Sequence, residues 1–400
     1  MMKTNKKLVS ALLSAAMLAA FPAQAMASGP GVAEPEKYDA ETLARLQDDV
    51  LEYDELPDLV HEYNTNMQIM WNSFGQTKQD YANVAQELKS QRKNYKDGAE
   101  RDKDALDHAT NPDDIYQLTV SYMTNKALDK GIQSVITSYS DVVKNFESDK
   151  NTQTLRQYER QAVNGAQSLM IAYGSIQSQK SILEKMKELY DAKYDLVTQQ
   201  AVLGTVTQAD ILSAQSSVLS AEASLASLNS TQDDLRRKLI VMTGWTADAN
   251  PEIRPIPTSD LNRVAAMNLE EDTKKAIGNN ASLISLRHTR TNGSTAEQRL
   301  HLMSVEEAEQ KMTIKMQELY DDVYKKKAEY EAALTGYESA CISKQSADTM
   351  FQQGMVGETE YIGLQLQYLQ KMSEKESADI ALFQAMETYD WAVKGLASYE

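Results

Sequence analysis

One cysteine, eight prolines and sixteen glycines in 400 residues leave this chain little material for anything but helix. With a single thiol, Cys341, no internal disulfide can form, so stability must come from packing, and Cys341 reads as a small packing residue in a helix. Five of the prolines (Pro22, Pro30, Pro35, Pro57, Pro112) precede residue 113, and the remainder is rich in Ala, Gln, Glu, Lys, Leu and Met. Those are helix formers, and a β-rich fold is excluded on composition.

Chemistry is scarce as well. The four histidines, His61, His108, His288 and His301, form no His-x-x-x-His or Glu-x-x-His pair that would set metal ligands on one helical face. Phosphate loop, nucleophile elbow and dinucleotide fingerprint are all missing. Acid pairs such as Glu306-Glu307 and Asp321-Asp322 fall in charge-rich helices and read as solvated faces. The expectation is a protein without catalytic activity, cofactor or metal. Long apolar runs are limited to residues 8–21, which follow Lys3, Lys6 and Lys7 and precede Ala23-Gln24-Ala25, as in a cleaved secretory signal over residues 1–27. That run is short of the roughly 20 residues a membrane helix needs, and no later stretch qualifies. A lipid anchor would need a cysteine just after the signal. The mature chain is expected to leave the cytoplasm. The formal charge of −17 becomes more negative when the signal's three lysines leave. Such a surface repels phosphate backbones, so nucleic acid is excluded as a partner.

What the chain does have is an internal repeat. Gly204 is followed by Asp210 and Gln215, and Gly354 by Glu360 and Gln365 at the same offsets. Each glycine sits between two long glycine-poor segments, the second closing near Gly244 or Gly395. Two helical hairpins result, each turning at its glycine, and each burying its apolar stripe only against neighbours. After the first turn, Ile211, Ala214, Val218, Ala221, Leu225, Leu228, Gln232, Leu235, Leu239 and Met242 alternate three and four residues apart, the repeat of a left-handed coiled coil. A second stripe, Leu212, Gln215, Leu219, Ala223 and Ala226, predicts contacts on another side of that helix. The matching seam of the second copy, Tyr361, Leu364, Tyr368, Ala378, Leu382, Ala385 and Tyr389, is interrupted by Lys371 and Lys375, which predicts a helix partly facing solvent or a lumen. Tyr320, Tyr324, Tyr330 and Tyr337 recur on one long helix, either packing with hydroxyls toward water or lining a substrate path.

The organisation is therefore all-α: residues 28–151 as a helical lead-in, 152–248 as the first long hairpin, 249–260 as a proline-rich extended connector, and 261–400 as a second half with its own hairpin. Within the lead-in, helix is predicted over residues 39–101 with an interruption near Pro57, a break at 107–114, and helix again over 115–146. The second half should begin with a short helix near residues 261–277 that continues through 282–286, and its hairpin should run over 305–398.

The stretches Ala201-Val202-Leu203-Gly204-Thr205-Val206-Thr207-Gln208-Ala209-Asp210 and Phe351-Gln352-Gln353-Gly354-Met355-Val356-Gly357-Glu358-Thr359-Glu360 resemble the tips of the bacterial outer-membrane efflux family typified by TolC. Phe351 supplies that family's aromatic three residues before the glycine, and Ala201 departs from it. Ala276-Ile277-Gly278-Asn279-Asn280-Ala281-Ser282-Leu283 resembles the signature that opens each half, with Asp54-Glu55-Leu56-Pro57-Asp58-Leu59 as a degraded counterpart. The resemblance implies a homotrimer whose helices form a hollow periplasmic cylinder, with the turns at its tip docking a periplasmic adaptor protein of a tripartite pump. Gly204, Thr207, Asp210, Gly354, Met355, Thr359 and Glu360 are the residues it assigns to docking. Helix capping alone would also account for glycine, threonine and acid at those places. In this family each half carries a β-hairpin for a barrel across the outer membrane, and neither residues 98–151 nor 292–306 supply the strands of about ten residues required. The barrel is expected to be reduced or absent. Two functions stay open: a tunnel-forming or docking component of an envelope export system, or a barrel-less periplasmic coiled-coil scaffold.

Overall fold

The structure, a computed structural model, describes residues 38–109, 111–146, 149–246, 248–289 and 293–399. The expected signal over residues 1–27 lies outside them. In chain order the elements are α1 (Ala40–Leu46), β1 (Val50–Leu51), α2 (Leu56–Tyr63), α3 (Thr65–Leu106), α4 (Pro112–Phe146), α5 (Asp149–Val202), α6 (Gln208–Met242), β2 (Glu252–Ile253), α7 (Leu261–Ala266), α8 (Leu269–Asn279), α9 (Ala281–His288), α10 (Thr295–Gln352) and α11 (Glu358–Trp391), ending in a π turn, Ala392–Leu396. The two long hairpins, α5/α6 and α10/α11, pack together through α5 and α11, giving a four-helix layer in the order α6–α5–α11–α10. A third hairpin, α3/α4, packs chiefly on itself and projects from this trunk.

Local chemistry sets most boundaries. Asn64, Thr207, Asp260, Asn268, Asn280 and Ser294 each accept a backbone N–H in the first turn of α3, α6, α7, α8, α9 and α10. Ser294 with Glu297 forms a full capping box, which starts α10 at residue 295, ten residues before the predicted 305. The caps at Asn268 and Asn280 also split the predicted lead helix of the second half into three.

The proline-rich connector contains a short strand. Glu252 N–H donates to Asp49 O at 2.8 Å and Arg254 N–H to Leu51 O at 3.0 Å, pairing β2 in parallel with β1 and tying the start of the first half to the link between halves. Ser259 reinforces the tie: its N–H donates to the buried Asp379 carboxylate and its hydroxyl to the Asp379 carbonyl.

Two apolar clusters lie at the trunk end away from the tips. The first gathers Leu51, Leu56, Val60, Met170, Leu239, Phe383 and Trp391, and Trp391 Nε1 donates to Gln167 Oε1 at 2.8 Å. The second gathers Val264, Leu283, Met312, Met316, Leu382, Met386 and Tyr389. α11 serves both. α11 is exposed along one flank, at Gly363, Gln367, Gln370, Glu374, Ser377, Gln384 and Thr388, in line with the expected partial exposure, but its other sides are packed: it holds nine buried residues, including Ile362, Leu369, Phe383 and Trp391 outside the seam. Lys371 and Lys375 stay in the seam because their aliphatic stems pack while their ammonium groups reach Glu374 and Glu376.

The α6 seam falls as predicted. All ten of its positions are buried or half-buried, whereas Leu212 and Leu219 of the second stripe are each 56% exposed. That stripe has no cover among the described residues, because α6 is an edge of the layer.

The counterpart of Asn279-Asn280 in the first half is Tyr63-Asn64, and this corrects the assignment to residues 54–59. Both asparagines cap a following helix and use Nδ2 to hold carbonyls at the end of a returning helix. Asn64-Thr65-Asn66-Met67 and Asn280-Ala281-Ser282-Leu283 share the pattern, with Met67 and Leu283 buried. The first copy has Met67 where the second has Leu283, whereas Leu56-Pro57-Asp58-Leu59 ends in a leucine, which drew the reading to residues 54–59. Between the equivalent asparagines and the long hairpins, the first half carries α3/α4 and the second half has no such pair among the described residues.

Candidate partner-docking site at the hairpin tips

α5 runs toward its tip and α11 away from its own, and the bond between Gln167 and Trp391 fixes their register at the trunk's other end. Val202 lies 35 residues beyond Gln167 and Glu358 lies 33 before Trp391, so at about 1.5 Å per residue both tips stand roughly 50 Å from that bond, at the same end. Seven residues assigned to docking, Gly204, Thr207, Asp210, Gly354, Met355, Thr359 and Glu360, are all exposed there.

The two turns share a backbone. Gly204 and Gly354 both have φ +71°, the left-handed conformation that favours glycine. The Thr205 N–H reaches back to Gln200 O at 3.1 Å and the Met355 N–H to Met350 O at 2.8 Å, closing equivalent helix ends. Neither glycine faces an atom that a Cβ would strike. Conformation alone requires them.

Side chains then differ. On the first tip, Thr207 N–H and Oγ1 both donate to Asp210 Oδ2, at 2.8 and 2.7 Å, and the Asp210 N–H returns to Thr207 Oγ1. These bonds hold the Asp210 carboxyl below its ordinary pKa. Thr207 and Asp210 thus spend their polar atoms on capping α6. What the first tip offers a partner is apolar: Val202 is 85% and Leu203 77% exposed. On the second tip Gly357 leaves α11 without a side-chain cap, and Glu358 and Glu360 occupy its first turn, where the helix dipole favours anions. Met355 is 71% exposed. Phe351 stacks flat on Tyr361, ring centroids 4.2 Å apart, and Tyr361 OH donates to Asp348, which also accepts from Lys344. Both bonds hold the Asp348 carboxyl down, the lysine's more strongly.

Sequence reasoning picked the glycines and caps and missed Val202, Leu203 and the Phe351–Tyr361 stack. Two adjacent large apolar residues immediately before a turn glycine were the available signal. The tyrosines on α10 mostly pack: Tyr320 lies against Tyr324 and Tyr389, and Tyr337 against Tyr368. Among the described residues, no group of three His, Cys, Asp or Glu side chains could hold a metal ion, and no helix is long and apolar enough to cross a membrane.

No family model and no curated protein matches the chain. Solved structures similar to it include the CmeC outer membrane channel of Campylobacter jejuni (9% identity, 64% of this chain and 68% of that chain, TM-score 0.42). The outer-membrane channel OprN aligns at 13% identity over 66% of this chain and 72% of its own, TM-score 0.42. CusC aligns at 14% identity over 79% and 96%, TM-score 0.46.

Proposed function

We propose that this chain is a non-catalytic trunk of an envelope export assembly, working as a conduit or docking component, with three copies side by side forming a cylinder and the tips engaging a periplasmic adaptor protein. The observation that carries the reading is the uncovered second stripe of α6. Leu212, Leu219 and the small residues between them continue a coiled-coil pattern at an open edge of the four-helix layer, and such an edge is satisfied by the edge of another copy. The tips support the docking part, since two turns at one end present Val202, Leu203 and Met355 to whatever lies beyond.

A second reading is favoured by one observation. Residues 112–146, where barrel strands would be needed, form the helix α4. A trunk without a barrel suits a periplasmic spacer. Light scattering on the mature protein without detergent, with fractionation of cells producing it, separates the two. A soluble trimer or a pair of trimers in the periplasmic fraction supports the spacer, a detergent-requiring trimer in the outer-membrane fraction supports the conduit, and a monomer in both conditions overturns the shared trunk. Tip docking is tested by Leu203→Ser with Met355→Ser in a folded protein: loss of export of a dye substrate is expected, and unchanged export removes the docking role.

A further inference from the structure

The α3/α4 hairpin presents an apolar face that none of the described residues covers. Ile115, Tyr116, Val120, Met123, Leu128 and Val135 of α4 are each 40–70% exposed, and Tyr116, Val120, Met123 and Ala127 follow one another at four, three and four residues, a single stripe. On α3 only Ile69 and Val84 are comparably exposed, at 38% each. The inner faces of the hairpin are already satisfied: Phe74 against Phe146, Tyr81 against Tyr139, Arg92 to Asp129 at 2.7 Å, and Asp102 to Ser121 and Asn125. The outer stripe is a second, unused seam of the kind that marks an interface.

Charge says what covers it. Residues 88–96 of α3 hold Lys89, Arg92, Lys93 and Lys96 and no acid, whereas residues 97–114, around the turn, hold seven acids (Asp97, Glu100, Asp102, Asp104, Asp107, Asp113, Asp114) against Arg101 and Lys103. The hairpin is therefore basic in its middle and acidic at its end. We propose that this hairpin pairs antiparallel with the same hairpin of a second copy, the α4 stripes in contact and each acidic turn lying level with the other copy's basic segment.

Three features fit that arrangement and no parallel one. Centred between Val120 and Met123, the antiparallel stripe matches itself: Val120 lies opposite Met123, and the bulky Tyr116 opposite the small Ala127. In the same overlap Asp107 and Asp114 lie level with the other copy's Arg92 and Lys93, because Arg92 is level with Asp129 within each hairpin. Side-by-side parallel packing would instead set the acidic turns together, each with five net negative charges on the count above, and like charges at short range destabilise. The pairing has two-fold symmetry, with one patch serving both partners. It makes the molecule double-ended, with hairpin tips at both far ends, and it holds whether or not the trunk is a conduit.

Cysteine cross-linking of the full mature chain tests this in a Cys341→Ser background. Tyr116→Cys combined with Ala127→Cys should give disulfide-linked pairs, since opposed residues come within the roughly 7 Å between Cα atoms that a disulfide spans. The two positions are 11 residues apart on one helix, about 16 Å, and cannot bond within a chain. Neither single variant should link, but a mixture of the two singles should. Linking by Tyr116→Cys alone would mean parallel packing and overturn the proposal, as would no linking in any variant of normal helicity. Val120→Glu with Met123→Glu, at exposed positions that leave the fold intact, should halve the mass by light scattering whatever number of copies the trunk contributes. An unchanged mass would overturn it, and so would binding of the unpaired wild type to phosphatidylglycerol vesicles lost in that variant, which would assign the stripe to lipid.

Discussion

Asn64 Nδ2 donates to the carbonyl of Met242 at 2.9 Å, joining the start of α3 to the end of α6 across 178 residues. Asn280 does the same work in the second half more completely. Its Nδ2 bridges Gly395 O and Ala397 O at 3.2 and 2.9 Å while its Oδ1 caps α9 at Leu283, and the residue is 4% exposed. Asn280→Ala removes a cap and leaves two carbonyls short of a donor, a cost of about 2–4 kcal/mol by the sum of cap and buried hydrogen-bond losses. Asn64→Ala, which strips one carbonyl, should cost less. Urea unfolding of both variants checks the order, and equal midpoints would mean that the second carbonyl held by Asn280 adds nothing to stability.

The four glycines with positive φ among the described residues separate into two kinds. At Gly244 a Cβ would sit 2.3 Å from Tyr63 Cβ and 2.6 Å from its carbonyl oxygen, and at Gly395 one would sit 2.3 Å from Asn279 O, while Gly204 and Gly354 have open space. Gly204→Ala and Gly354→Ala should each cost about 1–2 kcal/mol, the price of a left-handed residue with a side chain. Gly244→Ala and Gly395→Ala add a clash with backbone and should cost visibly more, enough to lower the yield of folded protein. Thermal denaturation of the four single variants decides, and a tip variant as damaged as a base variant would contradict the geometry.

How much of this was legible follows from what each contact needs. The tips were readable because a turn between two helices is local: glycine supplies φ, and Thr207 with Asp210 supplies the cap within three residues. The α6 seam was readable because its partner is one hairpin arm away and its period is set by helix geometry. The role of Asn64 was not, because its partner is 178 residues distant. The extent of packing on the other sides of α11 was hidden for a related reason. Lys371 and Lys375 look like solvent residues by type, and only the position of α11 in the middle of the layer makes their stems part of the packing. The β1–β2 pair escaped notice because two residues a side carry no periodicity.

Glu55 provides a pH dependence. It sits at the start of α2, 5% exposed, its carboxylate accepting the Glu52 N–H at 2.7 Å, with Asp48 and Glu52 nearby and Arg45 as the opposing charge. Burial above all raises its pKa from 4.5 to about 7. A carboxyl whose pKa is higher folded than unfolded contributes its stability below the unfolded value and loses it as pH rises toward the folded one, here between about 4.5 and 7. Glu55→Gln keeps an oxygen for the Glu52 N–H and removes the buried charge. The variant should match wild type at pH 4.5 and exceed it at pH 8 by about 1–3 kcal/mol, within the range for a buried charge lacking a close partner. Urea midpoints at the two pH values measure the difference, and a variant no more stable at pH 8 would show that water reaches the carboxylate.

The two apolar stripes of α6 allow the association of copies to be separated from folding. Ala214 and Ala221 are 4% exposed in the seam with α5, and Leu212 and Leu219, on the other stripe, are each 56% exposed. A glutamate at Ala221 has to displace α5 or bury a charge, so Ala221→Glu should unfold the hairpin, with a cost of several kcal/mol. Leu219→Glu meets only water in a single chain and should leave the helical signal and the unfolding midpoint of the isolated chain within about 0.5 kcal/mol of wild type. If α6 is the seam between copies, the same variant places a charge in an apolar contact and lowers the mass measured by light scattering. Leu212→Glu should behave alike, since it lies two turns away on the same stripe. A full-mass assembly in both variants would leave the α6 edge uncovered in solution, and the side-by-side arrangement of trunks would fall with it.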